Sequence, residues 1–457
     1  MSTPTTTRLI RPRSYEETVA AVRDCGARGG IAGGGGAARG GIAGGGGAAR
    51  GGIGGGDSGW SGSARGGLVR GGLALGGLVR GGGVWGAGWA PGDAARCAGG
   101  AVLDMTGLDR VHAVDAVDGT VLCDAGLTLH RLAEALLPLG WLPPVLPASA
   151  HTTVGAAIAT DAHGHDHPVS GAFSRHVLAL ELLTADGRIV SALPGTDLFD
   201  ATTGGLGLTG VILTATLRLQ PVRTPFVRVR TEHATDLDDL LARMTPADHR
   251  YTTARLDPLA RGGAVLLHAD PVPPPGRRTT GVLDALRHRA APGIRTTGRL
   301  RHVTALPHLL DAPAPIRLAP WRYGGGGVVR YRFAVPYGQE ETLRRIVRRI
   351  SGRRRPPSPA LLTRLGEADA GWLSFPVPGW SLAVDLPTGR RGLPALLDTL
   401  DEEVARAGGR VCLARDSRLR PDLLAAMYPR LADFRALRAA LDPRGVFTSD
   451  LSRRLAL

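Results

Sequence analysis

Three small-residue segments, a run of alternating histidines and one charged cluster are the parts of this 457-residue sequence that could do chemistry. Gly86-Ala87-Gly88-Trp89-Ala90-Pro91-Gly92-Asp93 is a Gly-rich turn, and successive backbone N–H groups in such a turn can cradle a pyrophosphate. Gly205-Leu206-Gly207-Leu208-Thr209-Gly210 is a literal GxGxxG. A dinucleotide fingerprint of that form needs a strand before it and a helix after it. The residues that follow, VILTATLRL, alternate as a strand, so the fingerprint is rejected. Close approach of backbone to a ligand and a plain turn both stay open. The segment 147–164, PASAHTTVGAAIATDAHG, suits packing against a flat ligand or another backbone, or simply a buried core. His163, His165 and His167 would share one face of a strand and could bind a metal. Gly164 and Pro168 break that geometry and no Cys or Glu completes the set, so no metal is expected. Arg415-Asp416-Ser417-Arg418 reads, on charge alone, as a surface ion-pair cluster.

The elements that must position these segments can be read from periodicity and caps. Ser14 and Glu17 fit a capping box, predicting a helix to Cys25 that stops at Gly26. Ala101–Met105 and Thr120–Cys123 read as strands, and Thr128–Leu139 as a helix ending at Gly140. Val177–Thr184 and Arg188–Ser191 flank Asp186-Gly187, a hairpin signal. Val211, Leu213, Ala215, Leu217 and Leu219 alternate and predict one buried face. Helices are expected over Glu340–Ile350, Leu393–Ala407 and Pro421–Leu441. Helices alternate with strands that pair locally, which points to an α+β fold rather than a doubly wound parallel sheet.

Composition excludes several classes. All 55 basic residues are arginine, because the sequence holds no lysine, and it holds no asparagine either. Without lysine a Walker-type phosphate loop and Schiff-base or pyridoxal-phosphate chemistry are ruled out. The bias suggests a GC-rich genome and discounts the net charge of +15 as a sign of an acidic partner. Of 67 glycines, 34 fall between Gly26 and Gly100. There ARGGIAGGGGA begins at Ala27, recurs at Ala38 and starts again at Ala49, a period of 11. So few apolar residues cannot offset glycine's backbone entropy, so about 29–82 is expected to be a poorly ordered insertion. Its Arg-Gly-Gly units at Arg28, Arg39, Arg50, Arg65, Arg70 and Arg80 could bind nucleic acid. With Trp60 as the sole aromatic, repeat expansion in a tolerant loop is the favoured reading and no nucleic acid is expected. The four cysteines are dispersed, and neither a signal peptide nor a spanning helix is expected, which makes a cytoplasmic setting the default.

In their order along the chain, the Gly-rich turn, TTVGAAIATDAHG and LFDATTGGLGLTGVILTATLRL resemble the vanillyl-alcohol-oxidase superfamily with its PCMH-type FAD-binding domain. The C-terminal stretches LSFPVPGWSLAVDLP, GGRVCLARDSR and MYPRLADFRALRAALDPRGVFTSDLSRRL narrow the resemblance to the decaprenylphosphoryl-β-D-ribose 2-oxidase branch, flavoenzymes of actinobacterial arabinan precursor and cell wall synthesis. It implies a two-subdomain FAD-binding domain over 1–221, a mainly antiparallel substrate (cap) domain over 222–410, and a segment, 411–457, returning to the flavin domain. Trp85, Gly86, Ala87, Gly88, Trp89 and Ala90 would form the pyrophosphate loop. Pro147, Ala148, Ser149, Thr153, Gly155, Ala156 and Ala159 would line the flavin, with His163 close to the isoalloxazine and Gly207 and Ile212 towards the adenosine. Some members attach flavin through His or Cys in the pyrophosphate loop; Trp89 and Ala90 stand there, so FAD is expected to be non-covalent.

The resemblance further implies oxidation of an alcohol to a ketone on a sugar or polyprenyl-phosphoryl sugar. The alternatives are another sugar, alditol or aldonolactone oxidase on the same scaffold, with the aldonolactone branch disfavoured by the missing HWGK-like motif, and a degenerate paralogue. A short-chain-dehydrogenase epimerase would be the partner, with at most peripheral association at the inner membrane face. Where the branch carries an active-site lysine this chain has Arg415, which keeps the charge that stabilises reduced flavin but cannot act as a base. His163 is read as a flavin neighbour rather than the base. Other departures are Pro91 for a tyrosine, Thr363 for a second lysine, Ala383 for a cysteine, and Arg330 and Arg332 for two glutamines on a substrate-domain strand. That arginine pair could bind a phosphate or form an exposed strand face.

Overall fold

The computed structural model describes residues 8–27, 74–75, 82–86, 92–147, 152–224, 226–246, 249–256, 263–272, 301–305, 328–351, 360–387 and 392–457. Most of the repeat, with its Arg-Gly-Gly units, lies outside these residues. Helix α1 (Tyr15–Ala27) starts as its cap predicts: the Glu17 N–H donates to Ser14 Oγ at 3.2 Å. The Glu17 carboxylate accepts from the Arg13 N–H, one residue earlier than a regular capping box, and the helix runs through Gly26.

The first sheet holds β1 (Arg8–Ile10), β2 (Ala74–Leu75), β3 (Gly82–Gly86) and β4 (Ala101–Asp104), in the order β1-β4-β3-β2. Strand β2 corrects the expectation for 29–82. Ala74 and Leu75 pair antiparallel with Gly86 and Trp85, because the open edge of β3 offers backbone groups to an adjacent extended chain.

The second sheet is antiparallel: β5 (Val111–Asp115), β6 (Thr120–Asp124), β8 (Val177–Leu183), β9 (Ile189–Ala192) and β10 (Val211–Arg218), ordered β5-β6-β10-β8-β9. A short pair, β7 (Trp141–Leu142) and β11 (Gln220–Pro221), lies apart. The expected hairpin is β8–β9. Strand β10 departs from its predicted single buried face. Register shifts between Ile212 and Thr214, and again between Thr216 and Leu217, turn the strand. Val211 and Leu213 therefore pack with Val22 of α1 and Phe447, whereas Ile212, Ala215 and Leu217 enter the main core.

The large sheet has eight strands, all paired antiparallel: β12 (Phe226–Ala234), β13 (Tyr251–Leu256), β14 (Ala264–Pro271), β15 (Arg301–Ala305), β16 (Val328–Pro336), β17 (Ala360–Leu365), β18 (Gly379–Pro387) and β19 (Arg410–Val411). Its order, β15-β12-β14-β13-β17-β18-β16-β19, puts β18 and β16 side by side in the middle of the site described below. Between the sheets lie α2 (Leu129–Leu136), α3 (Val154–Ala159), α4 (His167–Ser170) and α5 (Asp197–Thr202), while α6 (Leu237–Met244), α7 (Glu340–Ser351) and α8 (Leu393–Arg406) pack on the large sheet. The buried Leu343, Ile346 and Ile350 of α7 recur at helical spacing, as the periodicity predicts.

The single helix expected over Pro421–Leu441 is two, α9 (Pro421–Met427) and α10 (Leu431–Leu441). Pro429 has no N–H to continue the ladder and holds Tyr428 at φ −128, ψ 89. A last helix, α11 (Asp450–Leu455), is fixed by the Asp450 N–H to the Arg96 carbonyl and the Asp450 carboxylate to the Ala98 N–H. The architecture is α+β, with one apolar core continuous from β6, α3 and β10 to β16, β18 and α8. No helix among the described residues is long and apolar enough to cross a membrane.

Candidate active site

Helix α3 is the floor of the site. Thr153 caps it through Oγ1, and all six helical residues are buried. The Gly155 N–H donates to the Ala125 carbonyl at 2.7 Å, and a Cβ on Gly155 would sit 3.0 Å from Ala125 Cβ. A side chain at 155 would crowd Ala125 and require it to give by a few tenths of an ångström. At the other end of α3, the Gly204 and Leu206 N–H groups reach the carbonyls of Ile158 and Ala159 at 2.9 and 2.8 Å. This seats the GxGxxG turn on the helix, with Leu206 held at φ 56 and Gly207 at φ 75. Thr153, Gly155, Ala156, Ala159, Gly207 and Ile212 are thus brought together. Pro147 ends the described segment before α3, and Ala148 and Ser149 lie outside it. Trp85 and Gly86 are backbone of β3, while Ala87, Gly88, Trp89, Ala90 and Pro91 lie outside the described residues.

The end of the Gly-rich turn meets the C-terminal segment. The Asp93 N–H donates to the Asp416 carbonyl at 2.9 Å. A Cβ on Gly92 would lie 2.3 Å from that oxygen and 2.8 Å from the Arg415 carbonyl carbon. Backbone is on both sides, so neither can rotate away. Gly92→Ala is expected to cost about 1–3 kcal/mol and to loosen the Arg415 position. Urea denaturation of the variant, read at the C-terminal segment by hydrogen exchange, checks this; a change under about 0.5 kcal/mol would show the contact to be soft.

Above α3 the three histidines do not form a strand. His163 makes a single bridge to Ala172, and His167 opens α4. Asp161, between α3 and His163, takes φ 43 and is fully buried. Its carboxylate accepts from the Ser174 N–H at 3.0 Å and the Ser374 hydroxyl, and burial raises its pKa to about 6. The His163 and His167 rings stand edge to face, centroids 5.9 Å apart. Among the described residues no group of three His, Cys, Asp or Glu side chains converges on one point. Burial and the Arg332 charge hold His163 well below its ordinary pKa and bring His165 to about 4. His167 also falls to about 4, through burial and against the opposing pull of Asp369. The Nδ1 of His167 accepts from the Gly366 N–H at 2.9 Å, so its proton sits on Nε2.

A histidine with a lowered folded pKa keeps its full contribution above 6.5 and loses it as pH falls towards the folded value. For His167 the window is therefore pH 6.5 to about 4. Glutamine preserves the acceptor for Gly366 without titrating. His167→Gln is expected to lose about 2 kcal/mol less stability than the parent between pH 7 and 5, read by denaturant midpoints at both values. Equal losses would show that His167 does not titrate on unfolding.

Three arginines close the site from the cap side. Arg330 and Arg332 lie on β16 two residues apart, and Arg415 lies just after β19. Arg330 Nε is 3.4 Å from the Asp385 carboxylate of β18. Arg332 donates to Ser381 Oγ at 3.3 Å and lies 5.5 Å over the Phe375 ring, whose centroid is also 5.5 Å from that of His163. Burial and the Arg415 charge lower both Arg330 and Arg332 to about 10, so both stay protonated at neutral pH. Ala383 lies opposite Arg332 on β18, and Thr363 is buried on β17. Asp385, Phe375, Asp161 and Asp369 escaped the sequence reading. An acid in the apolar run LAVDL was the one available signal for Asp385.

A floor of small buried residues under a cluster of cations, with the His163 Nε2 and His165 Nδ1 atoms buried and unpartnered among the described residues, fits a flat anionic cofactor. The scaffold and site are those of an FAD-dependent oxidoreductase. Residues 78–193 match the FAD binding domain family. The uncharacterised protein in the mprA 5′ region of Streptomyces coelicolor is 51% identical over 374 residues, 72% of this chain and 100% of that one. Decaprenylphosphoryl-β-D-ribose oxidase of Mycolicibacterium smegmatis (strain ATCC 700084 / mc(2)155) is 34% identical over 407 residues, 81% of this chain and 88% of that protein. Alditol oxidase of Streptomyces sp. (strain IKD472 / FERM P-14339) is 27% identical over 389 residues, 78% of this chain and 86% of its own. The chain belongs to the family of FAD-linked oxidases that includes decaprenylphosphoryl-β-D-ribose oxidase.

Proposed function

We propose that the protein oxidises a secondary alcohol of a sugar to the ketone, on a polyprenyl-phosphoryl pentose. FAD, held without a covalent bond, would supply the hydride acceptor, flavin N5. Trp85 to Ala90 would hold its pyrophosphate. Pro147, Ala148, Ser149, Thr153, Gly155, Ala156 and Ala159 would line the flavin, and Gly207 and Ile212 the adenosine side. His163 stays neutral beside the isoalloxazine, and Arg415 places a fixed charge where negative charge develops. Phe375 and the buried α3 residues exclude water from the space between them. Residues 1–221 are read as the flavin domain, 222–410 as the cap and 411–457 as the returning segment. The ketone would pass to a short-chain-dehydrogenase epimerase.

The observation that carries this reading is the grouping of Arg332 and Arg415 around His163, just past the end of a helix made only of small and aliphatic residues. The similarity to decaprenylphosphoryl-β-D-ribose oxidase supports the substrate class. The purified protein should be yellow, and its flavin band should bleach when a prenyl-phosphoryl ribose is added without oxygen. Turnover of soluble alditols with no bleaching by the prenyl-phosphoryl sugar would favour the second reading, an alditol oxidase, which the similarity to alditol oxidase supports.

Strand β2 makes the repeat's role testable. Removing 29–73 keeps Ala74 and Leu75 beside β3, and flavin content is expected to stay within about 20% of the parent, since loop length costs entropy only logarithmically. Removing 29–82 also deletes the partner of β3 and should lower flavin content severalfold. Equal flavin content in both would show that β2 does not support the cofactor.

A further inference from the structure

The three site arginines are not equivalent. Arg330 has a carboxylate, Asp385, at 3.4 Å, and both side chains are nearly buried. Arg332 has none among the described residues: Nε reaches the Ser381 hydroxyl and the fork of terminal nitrogens is unpartnered. The Phe375 ring at 5.5 Å and Ser381 hold the guanidinium plane in one orientation, so the fork is pre-organised. Arg415 has no ion pair among the described residues either.

Among the described residues, three cations and one carboxylate leave two uncompensated positive charges in a half-buried space. Mutual repulsion and burial at such a site cost free energy unless an anion completes it. The reduced flavin, on the reading above, brings one negative charge and answers one arginine. One positive charge is left over, and it lies beside His163, since both groups flank the same aromatic ring.

We propose that Arg332 is the receptor for a single oxyanion, phosphoryl or carboxylate, that the substrate carries on the side of the reacting carbon that faces His163 and Phe375. This rests on the flavin reading for the position of that carbon. Arg330 is excluded from the role because Asp385 occupies it; the pair is a neutral wall of the pocket. Ala383, the strand partner of Arg332, has a side chain of a single methyl, which extends no further atoms towards the guanidinium. Specificity then comes from charge near the reacting carbon rather than from a long apolar tail, and a neutral polyol would leave the half-buried Arg332 unanswered.

Calorimetric titration of the full-length flavoprotein with inorganic phosphate, glycolate and glycerol tests this. Phosphate or glycolate should bind at least about 30-fold more tightly than glycerol, a margin expected when a charged group is left without its partner. Which of the two anions binds better tells phosphoryl from carboxylate. Arg332→Gln should lose at least about 30-fold in anion affinity, and Arg332→Lys should recover part of it. The double variant Arg330→Gln with Asp385→Asn should keep anion affinity within about threefold, because it removes a neutral pair. Thermal melting of each variant confirms that it is folded. Glycerol binding as well as the anions, Arg332→Gln binding phosphate like the parent, or the double variant losing as much as Arg332→Gln would each overturn the assignment. Absence of a flavin band in the parent would instead overturn the oxidoreductase reading, and calorimetry would still report on the anion.

Discussion

Arg415→Met is expected to lower kcat/KM by about 100–1000-fold while leaving flavin content unchanged, the range seen when one preorganised charge is removed from a developing anion. Methionine preserves length and apolar stem but deletes the charge. Arg415→Lys should stay within about tenfold of the parent, since a point charge at the same place answers the same need without the planar fork. Stability should move the other way. Arg415 lowers the pKa of Arg330 and Arg332 by repulsion, so removing it relieves both. The substrate-free Arg415→Met protein should melt at the parent temperature or a few degrees above it, since about 1 kcal/mol shifts a chain of this size by roughly 2 °C. A slow variant that melts no lower separates a charge role from a folding role. Activity within threefold of the parent would remove Arg415 from the chemistry.

Only part of this site is legible in the sequence. The parts that were legible are those written in local spacing. Small residues over 153–159 and the glycines of 204–210 each constrain their own backbone, so each segment was legible alone, whereas the bonds from the Gly204 and Leu206 N–H groups to the Ile158 and Ala159 carbonyls are long-range and were not. The strand after GxGxxG was legible because its alternation spans nine residues. What stayed hidden was set by long-range placement. Asp385 faces Arg330 only because β18 and β16 pair in one register, and no feature of either segment announces that register. Phe375 reaches both His163 and Arg332 from a loop about 200 residues after the histidine. The histidines misled for the opposite reason. Alternation suggested a shared strand face, but the backbone turns at Gly164 and starts a helix at His167, so the pattern carried no strand. The split of the last long helix was legible in principle: Pro429 stands inside the pattern, and proline's missing N–H outweighs apolar periodicity there.

The loop bearing Phe375 is also where the largest loss of stability is expected, through a residue outside the chemistry. Arg410, at the start of β19, donates from Nη1 to the Ser374 carbonyl at 2.5 Å and the Pro376 carbonyl at 3.4 Å, and from Nε to the Met427 carbonyl at 3.0 Å. Its guanidinium lies 5.3 Å over the ring of Tyr428, which is fully buried and donates its hydroxyl to the Val411 carbonyl. One side chain thus ties the 371–378 loop, the end of α9 and the large sheet together. Arg410→Met leaves three carbonyls without donors in a site that water enters poorly. Each charge-assisted bond is worth about 1.5–3 kcal/mol and they do not add fully, so a loss of about 3–5 kcal/mol is expected by urea unfolding. The same change frees Phe375, and with it the ring that holds Arg332 in plane. Anion affinity should therefore fall together with stability in Arg410→Met, whereas in Arg332→Gln it should fall with stability intact. If Arg410→Met loses under 1 kcal/mol, the loop is held by its other contacts, Ser374 with Asp161, the Trp372 N–H with the Asp200 carbonyl and the Tyr337 N–H with the Pro378 carbonyl, and Arg332 owes its orientation to Ser381 rather than to the aromatic ring.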